Sequence, residues 1–188
     1  APQTPRTCFQ DVREVPPAHY LLARHGHVEV RPYWQLAFDS PAREQEPPIE
    51  ASVQELRHLL RDATRLRLRA DVPVGAYLSG GLDSSLIAAI IRHLGVSHLD
   101  TFSISFSDPR YDESQFQRRM AEFLGTEHQV VYATHEEIGR VFPDVVWHTE
   151  TPLLRTAPAP MFLLSKLVRD RRYKVVLTGE GADEFLAG

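Results

Sequence analysis

Ser79-Gly80-Gly81-Leu82-Asp83-Ser84-Ser85 joins an apolar strand candidate, Val72 to Leu78, to a helical run from Ser84 to Leu94. This junction decides the fold. Adjacent glycines let the backbone turn sharply and approach an anion, and the helix that follows presents unpaired N–H groups and the positive end of its dipole. The hydroxyls of Ser79, Ser84 and Ser85 can donate hydrogen bonds to phosphate oxygens, whereas Asp83 repels phosphate unless a cation lies between them. The stretch therefore predicts a pyrophosphate-binding turn that works with Mg²⁺. It lacks the Gly-x-x-x-x-Gly-Lys-Ser/Thr pattern and any lysine placed for a γ-phosphate, so it is not a Walker loop.

Outward from this turn the apolar pattern alternates. Strands are expected at 73–78, 101–106, 128–132 and 173–178, and helices at 50–70, 84–94, 112–124, 135–147 and 159–170. Such alternation predicts an α/β fold with a doubly wound parallel sheet, covered on both faces through right-handed crossovers. Ligands of open α/β sheets bind at the carboxyl ends of strands, where the strand order reverses. A second glycine-containing stretch, Gly179-Glu180-Gly181-Ala182-Asp183-Glu184, also leaves a strand candidate at that end. Alone it reads as an acidic solvated turn. Sharing a crevice with the first turn, its carboxylates read as hard oxygen ligands for Mg²⁺.

The first 34 residues form a proline-punctuated lead-in and a hairpin, with strands His19 to Arg24 and Val28 to Val30 around His25-Gly26-His27. Ser40 to Ile49, carrying three prolines among charges, reads as a surface linker. Leucines 56, 59, 60, 66 and 68 between the arginines of Arg57 to Arg69 give an amphipathic helix with a basic solvated face, in preference to an RNA contact. The His25/His27 pair reads as a solvated turn, since no third metal ligand accompanies it.

The 188 residues suffice for one domain with a small appendage, and 43% apolar with 24% charged residues is ordinary for a globular chain. No apolar run approaches the roughly 18 residues of a membrane span and no signal segment opens the sequence, so a cytoplasmic setting without membrane contact is expected. A net charge of -4 argues against broad nucleic-acid binding. The single cysteine, Cys8, excludes an internal disulfide framework and is expected to be a small buried or edge residue.

The heptad resembles the pyrophosphate loop of the PP-loop ATP pyrophosphatases, within the adenine nucleotide alpha hydrolase-like fold. Further stretches agree in order with the synthetase domain of the glutamine-hydrolysing asparagine synthetase family: Thr101 to Phe106, Asp112-Glu113, His148-x-Glu150 and Thr178 to Glu184. Val15 to Tyr20 and Arg31-Pro32-Tyr33-Trp34 resemble the end of that family's glutaminase domain. The resemblance thus implies residues 1–38 as a glutaminase-like remnant with linker and 39–188 as a partial synthetase domain, both from a longer protein.

By the same resemblance, ATP is bound by Leu78, Ser79, Gly80, Gly81, Asp83, Ser84, Ser85, Ile104, Thr178 and Gly179, with Asp83 and Asp183 on Mg²⁺ and Glu180 beside the reacting centre. The implied reaction adenylates the aspartate side-chain carboxylate, releases pyrophosphate and forms the amide with ammonia taken from glutamine by the absent domain. Asp83 and Glu180 are the expected catalytic residues. The full-length protein is allowed a homodimeric state.

The sequence departs from the family in Thr151 to Pro158, where Arg155 replaces the acidic character seen in many relatives. Arg155 is either a bidentate ligand for a substrate α-carboxylate or an ordinary surface arginine. The departure leaves open another small carboxylic acid, as in amidotransferases or β-lactam-type synthetases. A nucleotide-binding module without turnover is a further reading, and tRNA modification is disfavoured by the charge and the lack of paired cysteines. The family's glutaminase nucleophile is an N-terminal cysteine, which Cys8 is not, so these residues alone are expected to release no ammonia from glutamine.

Overall fold

The computed structural model describes residues 4–35 and 47–186. The expected domain boundary between 38 and 39 and most of the expected linker lie outside the described residues. The chain divides into two compact units, one of residues 1–47 with 146–154 and the other of 48–145 with 155–188.

In the first unit, β1 (His19–Arg24) and β2 (His27–Pro32) pair antiparallel through a two-residue turn at His25-Gly26. Both turn residues have positive φ, 49° and 79°, the conformation that matches a tight hairpin to strand twist. The second strand runs two residues beyond its expected end. Cys8 is exposed in a bend and not buried; its sulfur lies 3.8 Å from the Thr151 hydroxyl.

The second unit holds a four-stranded parallel sheet of β3 (Val74–Tyr77), β4 (Asp100–Phe106), β5 (Glu127–Ala133) and β6 (Val175–Leu177), in the order β5-β4-β3-β6. The chain moves from β3 outward through β4 to β5, then returns to the other side of β3. The order therefore reverses between β3 and β6, which places a crevice where those two strands end.

Side-chain alternation along the strands supplies both faces of the core. Ala76 and Leu78 face α2 (Leu82–His93) and α3 (Ser114–Leu124), packing with Ala88, Ile91, Ala121 and Leu124. On the opposite face Phe102 packs with Leu164 and Val168 of α5 (Pro158–Asp170), joined by Tyr77, Ile104 and Val131. The two-sided covering that the alternation predicts is thus present.

Helix starts follow local chemistry. Asp112 accepts bonds from the Ser114 amide at 3.3 Å and hydroxyl at 2.8 Å, so α3 begins two residues after the expected start. Gly125 closes it at φ 62°. Thr134 and Glu137 form a reciprocal capping box at the start of α4 (His135–Thr149), with bonds of 3.3 and 3.1 Å. Pro158 occupies the first turn of α5, where its missing N–H costs nothing.

The Arg-rich segment forms α1 (Ile49–Arg67), packed on α2. Its leucine stripe is only partly covered: Leu56, Leu59 and Leu66 remain exposed, and the buried residue is Thr64, whose hydroxyl returns to the Leu60 carbonyl at 2.8 Å. After β6 comes a short helix, α6 (Ala182–Leu186), which sequence patterning did not indicate. Among the described residues no helix is long and apolar enough to cross a membrane.

Candidate functional site

The turn between β3 and α2 is organised by its own hydroxyls. Ser79 and Ser84 share a hydrogen bond of 2.8 Å between their Oγ atoms, the Ser79 amide donates to Ser84 Oγ at 3.1 Å, and the Gly81 amide donates to Ser79 Oγ at 3.2 Å. Ser84 is buried and Ser79 exposed, so the pair spans the wall of the turn. Gly80 adopts φ +90°, a conformation glycine enters without steric cost. The peptide after it opens α2, whose first-turn amides have no partner within the helix.

The turn after β6 lies against this one. A Cβ added at Gly179 would stand 2.8 Å from the Ser84 nitrogen and 2.9 Å from the Asp83 Cβ, so only a glycine lets the two backbones meet. Together the turns line one cavity of about 250 Å³ that includes Ser79, Gly81, Asp83 and Ser84 on one side and Thr178, Gly179, Glu180 and Asp183 on the other. A second cavity of about 160 Å³ adjoins it, with Leu78 and Ile104 in its wall. Tyr77, Ser79 and Glu180 line both.

Three of the expected residues stand apart from these linings. Gly80 is turned toward α3, where an added Cβ would meet Phe116 Cβ at 2.9 Å and the Gln117 nitrogen at 3.1 Å. Ser85 sits in the first helical turn, its amide donating to the Gly81 carbonyl at 3.2 Å. Arg155 is exposed and lines neither cavity. His148 and Glu150 belong to the other unit.

Sequence reasoning missed Tyr77 and Gln117. Tyr77 is the last residue of β3, two positions before Ser79, whereas the strand expected at 73–78 ends at Leu78. Gln117 is buried in α3 and its amide donates to the Ile104 carbonyl at 2.9 Å and the Ser79 carbonyl at 3.4 Å. It thereby ties the turn to the end of β4. Nothing in a helical pattern distinguishes such a glutamine from a surface one.

The electrostatics of the larger cavity are acidic. Asp83, Glu180, Asp183 and Glu184 line it, with no Lys or Arg among the lining residues. Backbone amides and hydroxyls suited to phosphate therefore share a small space with carboxylates that oppose it. A hard divalent cation would reconcile the two sets, and the lining hydroxyls and carboxylates fit Mg²⁺ beside a polyphosphate.

Known proteins match this chain over most of its length. It is 37% identical to Amidase chyE of Penicillium rubens across 97% of the chain and 30% of that protein. It is 32% identical to asparagine synthetase [glutamine-hydrolyzing] 1 of Bacillus subtilis across 98% of the chain and 28% of that protein. The chain thus spans less than a third of the length of these relatives. Among solved structures, the U34-tRNA thiolase NcsA of Methanococcus maripaludis superposes with a TM-score of 0.53 at 18% identity, covering 72% of this chain and 48% of that one, which is a likeness of fold. Residues 55–188, which carry the sheet and both turns, match the asparagine synthase family, and the chain belongs to that family.

Proposed function

We propose that the protein carrying this chain is an ATP-dependent ligase that adenylates a carboxylate and forms an amide from it, with asparagine synthesis as the first reading. One observation carries the proposal: the two glycine turns line a single acidic cavity at the strand-order reversal, next to a more apolar one. The larger cavity takes the phosphates, and the smaller, walled by Leu78 and Ile104, takes the adenine and ribose.

In this reading the amides at the α2 terminus, with the hydroxyls of Ser79 and Ser84, bind the β- and γ-phosphates. Gly80 permits the turn, Ser85 supports the first helical turn, and Thr178 and Gly179 bring the second backbone against the nucleotide. Asp83 and Asp183 would hold Mg²⁺, which supplies charge neutralisation on the phosphate oxygens. A substrate carboxylate oxygen attacks the α-phosphorus, the bond to the bridging oxygen breaks, and pyrophosphate leaves. Ammonia then attacks the acyl carbon of the mixed anhydride, AMP departs, and the excess proton passes to Glu180, which stands where the two cavities meet.

Residues 1–38 are assigned to the end of a glutaminase-like domain and 39–188 to part of the synthetase domain. Ammonia would come from glutamine in the complete protein, which we place in the cytoplasm. Arg155 carries no part of this reading, because its side chain is exposed away from both linings.

A second reading keeps the adenylation and changes the acid. The fungal relative at 37% identity is named an amidase, and this favours testing carboxylates other than aspartate. The test is exchange of labelled pyrophosphate into ATP by the complete protein across a panel of acids. Exchange stimulated by aspartate selects the first reading, exchange stimulated by a different acid alone selects the second, and no exchange with any acid removes both.

A further inference from the structure

The amino-terminal edge of the sheet, opposite the glycine turns, gathers a histidine and two carboxylates. Asp100 is the first residue of β4 and Glu127 the first of β5, and the strand register sets them directly across from each other. Like charges so paired oppose strand association unless something positive lies between them. His98, two residues before Asp100, completes the group. Its Nε2 lies 3.1 Å from Asp100 Oδ1 and its Nδ1 lies 3.8 Å from Glu127 Oε1. One potential ligand atom from each residue falls within 4.8 Å of the others.

A histidine compensates two carboxylates only when protonated. A second feature points to a different partner. Asp100 is 8% exposed, and its Oδ1 is sealed from solvent yet accepts no hydrogen bond, the nearby imidazole being out of line for one. A buried carboxylate oxygen left open beside an imidazole nitrogen suits a metal ligand. Ligands at about 2.0–2.2 Å from one tetrahedral ion stand roughly 3.4 Å apart. The 3.1 Å between His98 Nε2 and Asp100 Oδ1 is close to that, whereas Glu127, which meets the other ring nitrogen, must turn to reach the same ion.

We propose that His98, Asp100 and Glu127 form a binding site for a divalent transition metal of the zinc class, with solvent in the remaining position. One nitrogen and two carboxylate oxygens suit such an ion better than the all-oxygen set of Mg²⁺ or Ca²⁺. The Glu127 side chain, 67% exposed, is free to close on the ion. β4 is seven residues long, so the site lies about 20 Å from the turns at the other end of the strand. The ion therefore fastens β4 to β5 and takes no part in nucleotide chemistry, and the inference is independent of the proposed reaction.

The test is calorimetric titration of the metal-stripped complete protein with Zn²⁺, repeated for His98→Ala and Glu127→Gln. His98 and Glu127 are exposed, so their replacements leave the fold intact. Saturable binding of one ion is expected, weakened about tenfold or more by His98→Ala and by Glu127→Gln, each of which removes a ligand. Co²⁺ in the same site should show visible absorption that His98→Ala removes. Equal affinity in all three proteins, no saturable binding, or Mg²⁺ competing on equal terms with Zn²⁺ would each overturn the assignment.

Discussion

Gly179 and Ser84 touch through their backbones: a side-chain carbon at Gly179 would lie 2.8 Å from the Ser84 amide nitrogen. The loop after β6 therefore rests on the first turn of α2, and each fixes the position of the other. Because backbone cannot swing aside as a flexible side chain can, Gly179→Ala must push the loops apart. A loss of about 1–3 kcal/mol in stability is expected from such overpacking. Urea unfolding measures it, and nucleotide titration should show weaker ATP binding in the same variant; a protein unchanged in both would show that the contact is dispensable.

Gly80 and Gly81 separate two demands on the first turn. Gly80→Ala places a side chain at φ +90° and within 2.9 Å of Phe116 Cβ, so it should destabilise the protein by at least about 1 kcal/mol. Gly81 has φ -74°, and an added carbon there meets only the Ser79 hydroxyl at 3.3 Å. Gly81→Ala should melt within a few degrees of the parent while binding ATP more weakly, because it narrows the phosphate cavity. Thermal melts and nucleotide titrations on both variants check the pair.

Asp83 and Glu180 line the same cavity, yet the proposal gives them different steps. Losing the metal ligand removes several kcal/mol of charge stabilisation, so Asp83→Asn should lower both pyrophosphate exchange and amide formation by about 100-fold or more. Glu180→Gln should preserve most of the exchange and reduce amide formation by about 100-fold, the usual scale for a lost proton acceptor. Rapid assay of both partial reactions on each variant distinguishes the roles. Equal losses of exchange and amide formation in Glu180→Gln would put Glu180 in the first step.

These expectations show what the residues made legible. The turn at Ser79–Ser85 could be read because its chemistry is local: an apolar strand, a glycine at positive φ and a helix start follow one another in the chain. The placement of its partner followed from a general rule about parallel sheets. Gln117 could not be read, since its role depends on two carbonyls brought to it by the fold, those of Ile104 and Ser79. The leucines of α1 were legible as a helical stripe, but Leu56, Leu59 and Leu66 stay exposed because burial depends on what packs there, and within this chain α1 rests on α2. Periodicity reports a face and leaves its partner unspecified.

His128 gives a pH dependence with a definite sign. It pairs with Thr101 across β4 and β5, with Nδ1 3.0 Å from the Thr101 hydroxyl, and burial lowers its pKa from the ordinary 6.5. The folded state therefore holds this imidazole neutral where the unfolded chain already binds a proton. Stability is full above the unfolded value and falls as the pH drops below about 6.5, levelling off only below the lowered folded value. Urea unfolding between about pH 7 and pH 5 should show this decline, and His128→Gln should make it shallower. An identical slope in the variant would assign the acid sensitivity to other groups.

The central claim is that both glycine turns grip one triphosphate with a cation between their acids. Its most direct measurement is a crystal structure of the complete protein with Mg²⁺ and an ATP analogue that resists cleavage between the α- and β-phosphates. The account predicts phosphate density against Ser79, Gly81 and Ser84, a metal bridging Asp83 and Asp183 to it, and the base beside Leu78 and Ile104. Phosphates bound elsewhere, or density touching one turn while the other stands clear, would contradict it.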